Sequence, residues 1–361
     1  MKISAGNELR KQKVKMKKLI WLLLITVTFV GCGKENKNSD NTSGKDSTTA
    51  ENRIVPSSID KAAKYDLKYK FKKGDRYDYA LTTITNTNQT VSSDTLVNID
   101  VIQTIKYKFA IDILSVSSDK IADVSINIGS IDLKASYNGQ TVTYNSNMVL
   151  PDDEKMQYLE YETLKNSTYK AKINDKGQIL NIYFLDKIIE RMAAIQKYEQ
   201  KLTDQEKAGV AENLSALLIK PLTQHLFRIL PEKEVAIDSS WQYRYPSSLA
   251  TFQIENIASF RLANVFEIDN NKIAEFSAAL NIKASGDNTY TEKNIHYYFD
   301  KPVVTGSGTI RFNIDTGQLV NSNTTTRIET QGIVEATDDK GKTEKASRKD
   351  ITVSTNIIEI I

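Results

Sequence analysis

The residue types that most often perform catalysis or bind metals are scarce in this 361-residue chain. It has one cysteine, Cys32, and two histidines, His225 and His296, which lie 71 residues apart. One thiol cannot form an intramolecular disulfide or a thiolate cage, and two isolated imidazoles lack the spacing of a metal site. Phosphate-binding loops, nucleophile elbows and dinucleotide-binding fingerprints are also missing from the sequence. We therefore predict no catalytic residues, no metal site and no cofactor, and we expect the chain not to be an enzyme.

The one thiol follows a segment with the order of an export signal. A basic pair, Lys17–Lys18, precedes a mainly apolar run of twelve residues, Leu19–Val30, and a single glycine separates this run from Cys32. Twelve residues are fewer than the roughly 20 that a transmembrane helix needs, but they suit the core of a signal peptide. The alternative is a buried helix that happens to end at the cysteine. We predict a signal peptide over residues 1–31, with Met16 as a second candidate start.

The end of this segment resembles the lipobox of bacterial lipoproteins, which are cut just before a cysteine whose thiol then carries diacylglycerol. The resemblance implies a fatty-acid anchor, such as palmitate, on Cys32. Residues 32–64 are polar until Ile54 and predict a disordered tether. Lys34–Glu35 resembles the signal that sends Bacteroidota-type lipoproteins to the cell surface, although an ordinary hydrophilic spacer would look similar. We expect a cell-envelope protein anchored by lipid to the outer membrane.

Charge is unevenly distributed along the chain, and this argues against nucleic-acid binding. The net charge of +3 arises from the first 31 residues, which hold seven Lys or Arg and one acid. From Cys32 onward, 41 basic residues face 44 acidic ones. A nucleic-acid binder needs a basic surface that displaces counterions from phosphates. We therefore expect no nucleic-acid partner. The partners we expect are the membrane, through the lipid on Cys32, and an apolar ligand or an envelope protein.

Apolar residues alternate with polar ones over much of the chain beyond residue 65. Ile105–Ile113 and Ala274–Ile282 place an apolar side chain at every second position, which is typical of strands with one buried face. Turn signals such as Asn138-Gly139 separate these stretches. We predict an α+β fold that is mainly antiparallel β. The glycine-rich Thr305–Gly308 is interpreted as a hairpin loop.

Three pairs of short segments recur in the same order along the chain. Residues 119–125 match 271–277 at an offset of 152, residues 175–181 match 315–321 at 140, and residues 74–79 match 238–243 at 164. Such a drifting offset is expected of a duplication with small insertions; unrelated hairpins with similar turns are the alternative. We predict two related, curved, half-barrel-like β units, residues 65–230 and 231–361.

Helical periodicity is confined to the middle of the chain. Two apolar stripes predict helices within about residues 183–229, and Thr203 with Glu206 predicts a capping box at the start of the second. The stripes are Leu185, Ile188, Ile189, Met192 and Ile195, and Val210, Leu214, Leu217 and Leu218. A short helix is also expected within 152–166, with Met156, Leu159 and Leu164 facing inward. We expect these two or three helices to pack between or across the β units.

Several motifs resemble an uncharacterised family of Bacteroidota-type outer-membrane or surface lipoproteins. They are Lys-Gly-Asp-x-Tyr-x-Tyr at Lys73–Tyr79, Leu-Pro-x-Lys-x-Val at Leu230–Val235 leading to Ile237–Trp241, and the Asp-x-Gly-Gln turns. The likeness extends over most of residues 65–361. It implies the β architecture described above, and because the family has no known function it names no activity.

A curved sheet crossed by helices can enclose space for a lipid-like ligand, or aromatic and aliphatic side chains can fill that space. Trp241, Tyr243 and Tyr298 are the candidate ligand-contact residues, with packing in the core as the alternative. We predict a membrane-anchored, non-enzymatic binding scaffold for a lipid-like or other apolar ligand. The alternative is a structural or assembly subunit of a surface protein complex with no small-molecule site.

Overall fold

A computed structural model describes residues 62–198, 202–337 and 341–361. Cys32, the predicted signal peptide and nearly all of the predicted tether lie outside these residues. Strands make up 59% of the structure and pair antiparallel throughout the sheet, so the prediction of a mainly antiparallel β fold is confirmed. The strands are β1 (Arg76–Ser92), β2 (Leu96–Val116), β3 (Ala122–Tyr137), β4 (Gln140–Asn145), β5 (Ser167–Ile173), β6 (Ile179–Tyr183), β7 (Ser240–Leu249), β8 (Phe252–Ile268), β9 (Asn271–Ser285), β10 (Thr289–Glu292), β11 (Ile295–Phe299), β12 (Val303–Asn313), β13 (Gln318–Thr337) and β14 (Thr343–Ile360).

All fourteen strands belong to one open sheet with the order β6-β5-β3-β2-β1-β14-β13-β12-β9-β8-β7. β4 pairs with β3, and the β10–β11 hairpin pairs with β13 through β11. β14 therefore joins two meanders, β1-β2-β3-β5-β6 and β7-β8-β9-β12-β13, and the sheet continues across the predicted boundary at residue 230. Each meander is interrupted between its third and fourth strands. The predicted duplication and the division into two domains stay predictions.

One face of the sheet, called here the covered face, carries most of the core. The alternation seen in the sequence places Phe109, Ile111 and Ile113 of β2 on this face, where each is 2% exposed or less. Tyr79 of β1 and Ile128 of β3 lie on the same face, because both pair with Phe109. Each such side chain contributes about 1.5–3 kcal/mol when it is fully buried. Side-chain alternation thus fixes which face of the sheet the helices cover.

The helices follow the predicted order and differ in detail. A 3₁₀ turn (Lys155–Tyr158) leads into α1 (Leu159–Leu164), α2 (Asp186–Ile195) follows β6, and α3 (Asp204–Leu214) passes through a π-helical segment (Ser215–Ile219) into α4 (Lys220–Leu226). The predicted capping box of Thr203 and Glu206 begins α3. Pro221 lacks the N–H that a continued α-helix would use, and the π-helical widening directly precedes it. Met156 is 49% exposed, so its predicted inward position is wrong: the 3₁₀ turn changes the helical register before α1 begins.

The glycine-rich segment Thr305–Gly308 is part of β12, so its interpretation as a hairpin loop is wrong. It pairs with β13 along its whole length, and a Cβ at Gly308 would lie 2.0 Å from the Asn323 carbonyl oxygen. Glycine is needed there because two backbones approach too closely for any side chain. Gly308 therefore indicates a close contact between two strands and not a turn.

A short extended segment before β1, residues 65–71 and called here the strap, ties the two meanders together. Tyr65 pairs with Val235, the Tyr69 N–H donates to the Asp175 carbonyl at 2.7 Å, and the Lys70 N–H donates to the Gly317 carbonyl at 3.4 Å. The two Asp-x-Gly-Gln turns, one from each meander, therefore contact neighbouring residues of the strap. Each uses a glycine at positive φ.

Buried polar side chains lie on the covered face where the meanders meet. Thr83 Oγ1 donates to Asn356 Oδ1 at 2.9 Å, and the Arg228 guanidinium donates to Ser322 Oγ at 2.7 Å. These residues are at most 7% exposed. Buried polar groups need such partners. These hydrogen bonds therefore favour one register between β1, β14 and β13.

Candidate functional site

An aromatic cluster holds α1 over the covered face of the first meander. The Tyr144 ring of β4 lies 5.0 Å from the Tyr158 ring and 5.6 Å from the Tyr161 ring, measured between centroids. The Tyr161 hydroxyl accepts a hydrogen bond of 3.0 Å from Gln103 of β2. Stacked tyrosines supply apolar area and a polar end that must find a partner. The insertion between β3 and β5 is thereby fixed to the sheet.

A buried acid of α1, Glu162, also holds this helix in place through hydrogen bonds. Glu162 is 3% exposed, and its Oε1 accepts hydrogen bonds from Tyr144 OH at 2.8 Å and from Lys165 Nζ at 2.6 Å. Arg191 of α2 donates to the Thr163 carbonyl at 3.3 Å and to the Lys165 carbonyl. Charge-assisted hydrogen bonds of this kind are the strong ones. They set the spacing between α1 and α2.

An open apolar groove lies between α1, α2 and α3 with its π-helical continuation. Its volume is about 280 Å³. Five aliphatic or thioether side chains and two polar ones line it: Leu159, Glu160, Thr163, Met192, Leu214, Leu217 and Leu218. Small-molecule sites commonly measure about 300–1,000 Å³ and are mostly apolar with a few polar groups. The groove has that mostly apolar lining, and its volume lies just below this range.

The π-helical segment explains why the groove is open. The predicted stripe on α3 places Leu217 inward, yet Leu217 is 77% exposed, whereas Ile219 is completely buried. A π turn adds a residue to the helical turn and rotates the following side chains. Leu217 therefore lies at the groove and not in the core. π segments within helices are frequently found at functional sites.

Two polar side chains interrupt the apolar lining, and they differ in exposure. Thr163 is 2% exposed, and its Oγ1 has no hydrogen-bond partner among the described residues. Glu160 is exposed at the rim, and the described residues supply no ion-pair partner for its carboxylate. Many apolar atoms nonetheless surround the carboxyl group, and this desolvation raises the pKa of Glu160.

The predicted ligand-contact aromatics do not form one site. Trp241 stacks on Phe260 with centroids 5.6 Å apart, meets Phe276 edge-on at 5.4 Å and donates its indole N–H to a backbone carbonyl, so this partly buried residue packs against the core. Tyr243 stacks on a neighbouring tyrosine of β7. Strand register puts Trp241 and Tyr243 on the covered face and Tyr298, which is 41% exposed, on the opposite face. Their role in ligand contact stays a prediction.

The two histidines also lie apart. His225 of α4 is 1% exposed, and burial, with a smaller effect of Arg228, lowers the pKa of its imidazole to about 3. His296 lies on the exposed hairpin strand β11, where its Nδ1 is 3.0 Å from Thr291 Oγ1. The described residues contain no group of three or more His, Cys, Asp or Glu side chains placed to share a metal ion. His225 therefore acts as a neutral packing residue.

A second, polar concavity of about 350 Å³ lies beside the strap. Its charged groups are mostly engaged with the protein: Lys70 Nζ donates to the Asp315 carbonyl at 3.2 Å, and the Tyr77 hydroxyl donates to Asp75 at 3.0 Å. Arg76 forms an ion pair of 3.1 Å with Asp78. Such exposed pairs contribute little free energy. This concavity therefore offers a weaker case for a ligand site than the helical groove.

Sequence reasoning missed the groove although it placed the helices. Met192, Leu214, Leu217 and Leu218 were recognised as helix stripes and expected to be buried. Glu160 and Thr163 carried no recognisable motif. The one available signal was Pro221, which interrupts helical hydrogen bonding just after the π segment. Cys32, the predicted lipidation site, lies outside the described residues.

None of the helices in the described part of the chain has the length and apolarity needed to span a bilayer. Comparison with solved structures finds distant likenesses. A structure of lipovitellin, described by its lipid–protein interactions, is 11% identical with a TM-score of 0.41; the match covers 81% of this chain and 25% of lipovitellin. OccK2 (OpdF) of Pseudomonas aeruginosa is 7% identical with a TM-score of 0.19, covering 78% of this chain and 98% of its own. An outer membrane channel of Pseudomonas putida F1 is 8% identical with a TM-score of 0.18, covering 86% and 100%.

Likenesses with such low TM-scores carry no argument about this chain, which also spans only about a quarter of lipovitellin. No curated protein matches its sequence. A family of unknown function, DUF6263, matches residues 119–319, more than half of the chain. The matched range extends from the β2–β3 turn to the start of β13 and includes every residue that lines the groove. The chain is therefore a member of the DUF6263 family.

Proposed function

We propose that this chain is a lipid-anchored, non-enzymatic binding scaffold of the cell envelope that holds an apolar ligand in the groove between α1, α2 and α3. The observation that carries the proposal is the groove itself, with five aliphatic or thioether side chains around about 280 Å³. Leu217, 77% exposed, leaves apolar area at the groove in contact with water. A ligand that covers Leu217 would recover that apolar area at about 25 cal/mol per Å².

A matched pair of variants tests this function. Leu217→Glu adds a charge at the groove, and Leu96→Glu adds the same charge at another exposed leucine, 65% exposed on β2. The full chain is purified from its host without added lipid and analysed by native mass spectrometry and lipid extraction. We expect a co-purifying apolar ligand in the wild type and in Leu96→Glu, and its loss in Leu217→Glu. No ligand in any of the three, or equal amounts in all three, would contradict the proposal.

The envelope location depends on Cys32 and the segment before it. A chain that is exported and acylated there would keep the groove close to a membrane, from which an apolar ligand could be drawn. Cys32→Ala is expected to lose metabolic labelling by a fatty-acid analogue and to accumulate as a precursor. Unchanged labelling would exclude this thiol as the lipidation site.

A second candidate function, assembly into a surface complex, is favoured by an exposed apolar patch at one end of the first meander. Apolar side chains are exposed on both faces of this end: Val97, Tyr137 and Val142 (38–45% exposed) on one face, and Leu96 and Ile102 (54–65% exposed) on the other. Exposed apolar area at one end of a sheet can mark a protein contact. Photo-crosslinking from Ile102 in cells is expected to capture a specific envelope protein if this is the function. Crosslinks to lipid alone would count against it.

We also infer that the two meanders descend from one duplicated unit, each with an insertion after its third strand. The support is that recurring sequence segments fall at matching places: the β2–β3 and β8–β9 turns, and the β5–β6 and β12–β13 turns. The turns Asp175–Gln178 and Asp315–Gln318 differ only at Lys176 and Thr316, so exchanging these two residues tests whether the turns are equivalent. A stable double swap, measured by thermal unfolding, is expected; unfolding of the swapped chain would argue against equivalence.

A further inference from the structure

The polar side chains that line the groove indicate which kind of ligand headgroup it would bind. Among its lining residues, Glu160 and Thr163 alone carry polar side chains, and none carries a positive charge. A ligand with an alkyl chain along the leucines would bring its polar end to one or both of them. The identity of that end can therefore be inferred from the two side chains.

Thr163 is an unsatisfied hydroxyl beside the groove. It is 2% exposed, and its Oγ1 makes no hydrogen bond to the described residues. A buried hydroxyl without a partner is unfavourable by about 1–3 kcal/mol, so a ligand that supplies a donor or acceptor would gain from meeting it. Its position on α1, one residue from the anchored Glu162, keeps the hydroxyl fixed. This is the group expected to contact a ligand headgroup.

Glu160 supplies the charge preference. It is exposed at the rim, forms no ion pair with the described residues, and lies beside the apolar lining of the groove. A carboxylate in such surroundings is stabilised by a nearby positive charge and destabilised by a second negative one. An anionic headgroup would therefore be repelled where a cationic or neutral one is tolerated or attracted.

We propose that the groove takes a single-chain amphiphile whose polar end donates hydrogen bonds and carries a positive charge or none, and that it discriminates against fatty acids. The proposal rests on the proposed function, because it names the ligand class of the same groove. The volume of about 280 Å³ equals about nine water volumes, which is room for one short unbranched alkyl chain within the groove.

The test uses three probes with one alkyl chain: octylamine, 1-octanol and octanoate at pH 7.5. Met192 lines the groove, and the chain has only five methionines. Methyl-¹³C-methionine labelling of the full chain, after detergent removal, therefore gives a site-specific signal for titration. Met148 lies in the loop after β4 and serves as an internal reference. We expect saturable shifts of the Met192 methyl with affinity falling from octylamine to octanol to octanoate, at least tenfold overall.

Two substitutions assign the preference to its residues. Glu160→Gln is expected to bring the octylamine and octanoate affinities within about threefold of each other, whereas Glu190→Gln, an acid on α2 outside the groove lining, leaves their ratio unchanged. Thr163→Val keeps the shape of the side chain and is expected to weaken octanol binding severalfold. Wild-type probe ratios do not depend on these variants, so misfolding of one of them leaves the test intact.

The outcomes separate this inference from the proposed function. If all three probes shift Met192 with similar affinity, the groove binds alkyl chains but does not select a headgroup, so the function stands and the inference fails. Tighter binding of octanoate overturns the inference in the same way. If no probe shifts Met192, the groove binds no such ligand and the proposed function fails as well.

Discussion

The two meanders share one strand pattern and differ in what fills the gap after the third strand. In the first, β4, the 3₁₀ turn and α1 lie between β3 and β5; in the second, the β10–β11 hairpin lies between β9 and β12. The first insertion crosses the covered face through the Tyr144 cluster. The second pairs through β11 with β13 and extends the sheet. The same strand pattern therefore carries a helical groove in the first meander and an additional pair of strands in the second.

This difference shows where the candidate site comes from. No strand of either meander lines the groove, which consists only of helical side chains from the first insertion and from the segment between β6 and β7, called here the link. The shared parts, namely the strap and its two glycine turns, are structural. We expect substitutions in the shared parts to change stability and substitutions in the first insertion to change binding.

The largest expected effect concerns the two turns that hold the strap. A Cβ at Gly177 (φ +80°) would lie 2.2 Å from the Arg228 carbonyl oxygen, and one at Gly317 (φ +68°) would lie 2.4 Å from the Lys70 nitrogen. Gly177→Ala and Gly317→Ala are each expected to lower the free energy of unfolding by about 3–4 kcal/mol, through strain plus a backbone clash. Denaturant unfolding measures this. The control is Gly139→Ala (φ +84°) with open space around it, expected to lose only about 1 kcal/mol.

Equal losses in the three glycine variants would show that the turns do not clamp the strap. A loss at Gly177 alone would show that the meanders contribute unequally to holding it.

Next in size is a comparison of two buried tyrosines, one in each insertion. Tyr144 OH donates to the buried Glu162, whereas Tyr297 OH has no hydrogen-bond partner among the described residues. Tyr144→Phe is expected to lose about 2 kcal/mol, since it removes a hydrogen bond to a charged group. Tyr297→Phe is expected to change stability by less than about 0.5 kcal/mol. Thermal and denaturant unfolding of the two variants would reveal whether the first insertion is the more strongly anchored one.

The link between the meanders predicts a dependence of stability on pH. Burial lowers the pKa of His225 to about 3, so the folded state resists protonation that the unfolded chain accepts near 6.5. The stabilisation from neutral His225 is thus complete above pH 6.5 and is lost as the pH falls toward 3, at about 1.4 kcal/mol per unit. Compared with wild type, His225→Asn should lose less stability between pH 6 and 4. The same measurement on His296→Asn, where the histidine is exposed, is the control.

The smallest effect on stability concerns the two open edges of the sheet. β6 has five residues, while β7 has ten and carries Pro246. Proline lacks the N–H that an added strand would need and is typical of protected edges. Pro246→Thr is expected to change the unfolding free energy little and to promote self-association, measured by analytical ultracentrifugation. A variant that stays monomeric at high concentration would show that the proline does not protect this edge.

Much of the fold was predictable because strand alternation and capping are local. The pattern in Ile105–Ile113 set the buried face of β2, and Thr203 with Glu206 set the start of α3. The Thr305–Gly308 error arose because a glycine required by a close strand contact looks the same in sequence as a glycine required by a turn. Only the pairing of β12 with Asn323 distinguishes the two.

The site was not predictable because it depends on a shift in helical register and on contacts between distant segments. Leu217 belongs to a regular apolar stripe in sequence, and the π segment alone turns it outward. The Thr163 hydroxyl has no hydrogen-bond partner among the described residues, and nothing in the local sequence indicates this. The aromatic residues predicted for ligand contact, including Trp241, pack against the core or lie on separate faces because strand register separates them.

The central claim, that the ligand site lies in the first insertion and the link and not in the second insertion, can be tested by photolabelling. The full chain is irradiated with an alkyl diazirine probe, digested and mapped by mass spectrometry. The account predicts label in peptides that contain Leu159–Thr163, Met192 and Leu214–Leu218, reduced by an excess of octylamine and absent in Leu217→Glu. Label concentrated on the β10–β11 hairpin or on the patch around Ile102, with none in those peptides, would contradict it.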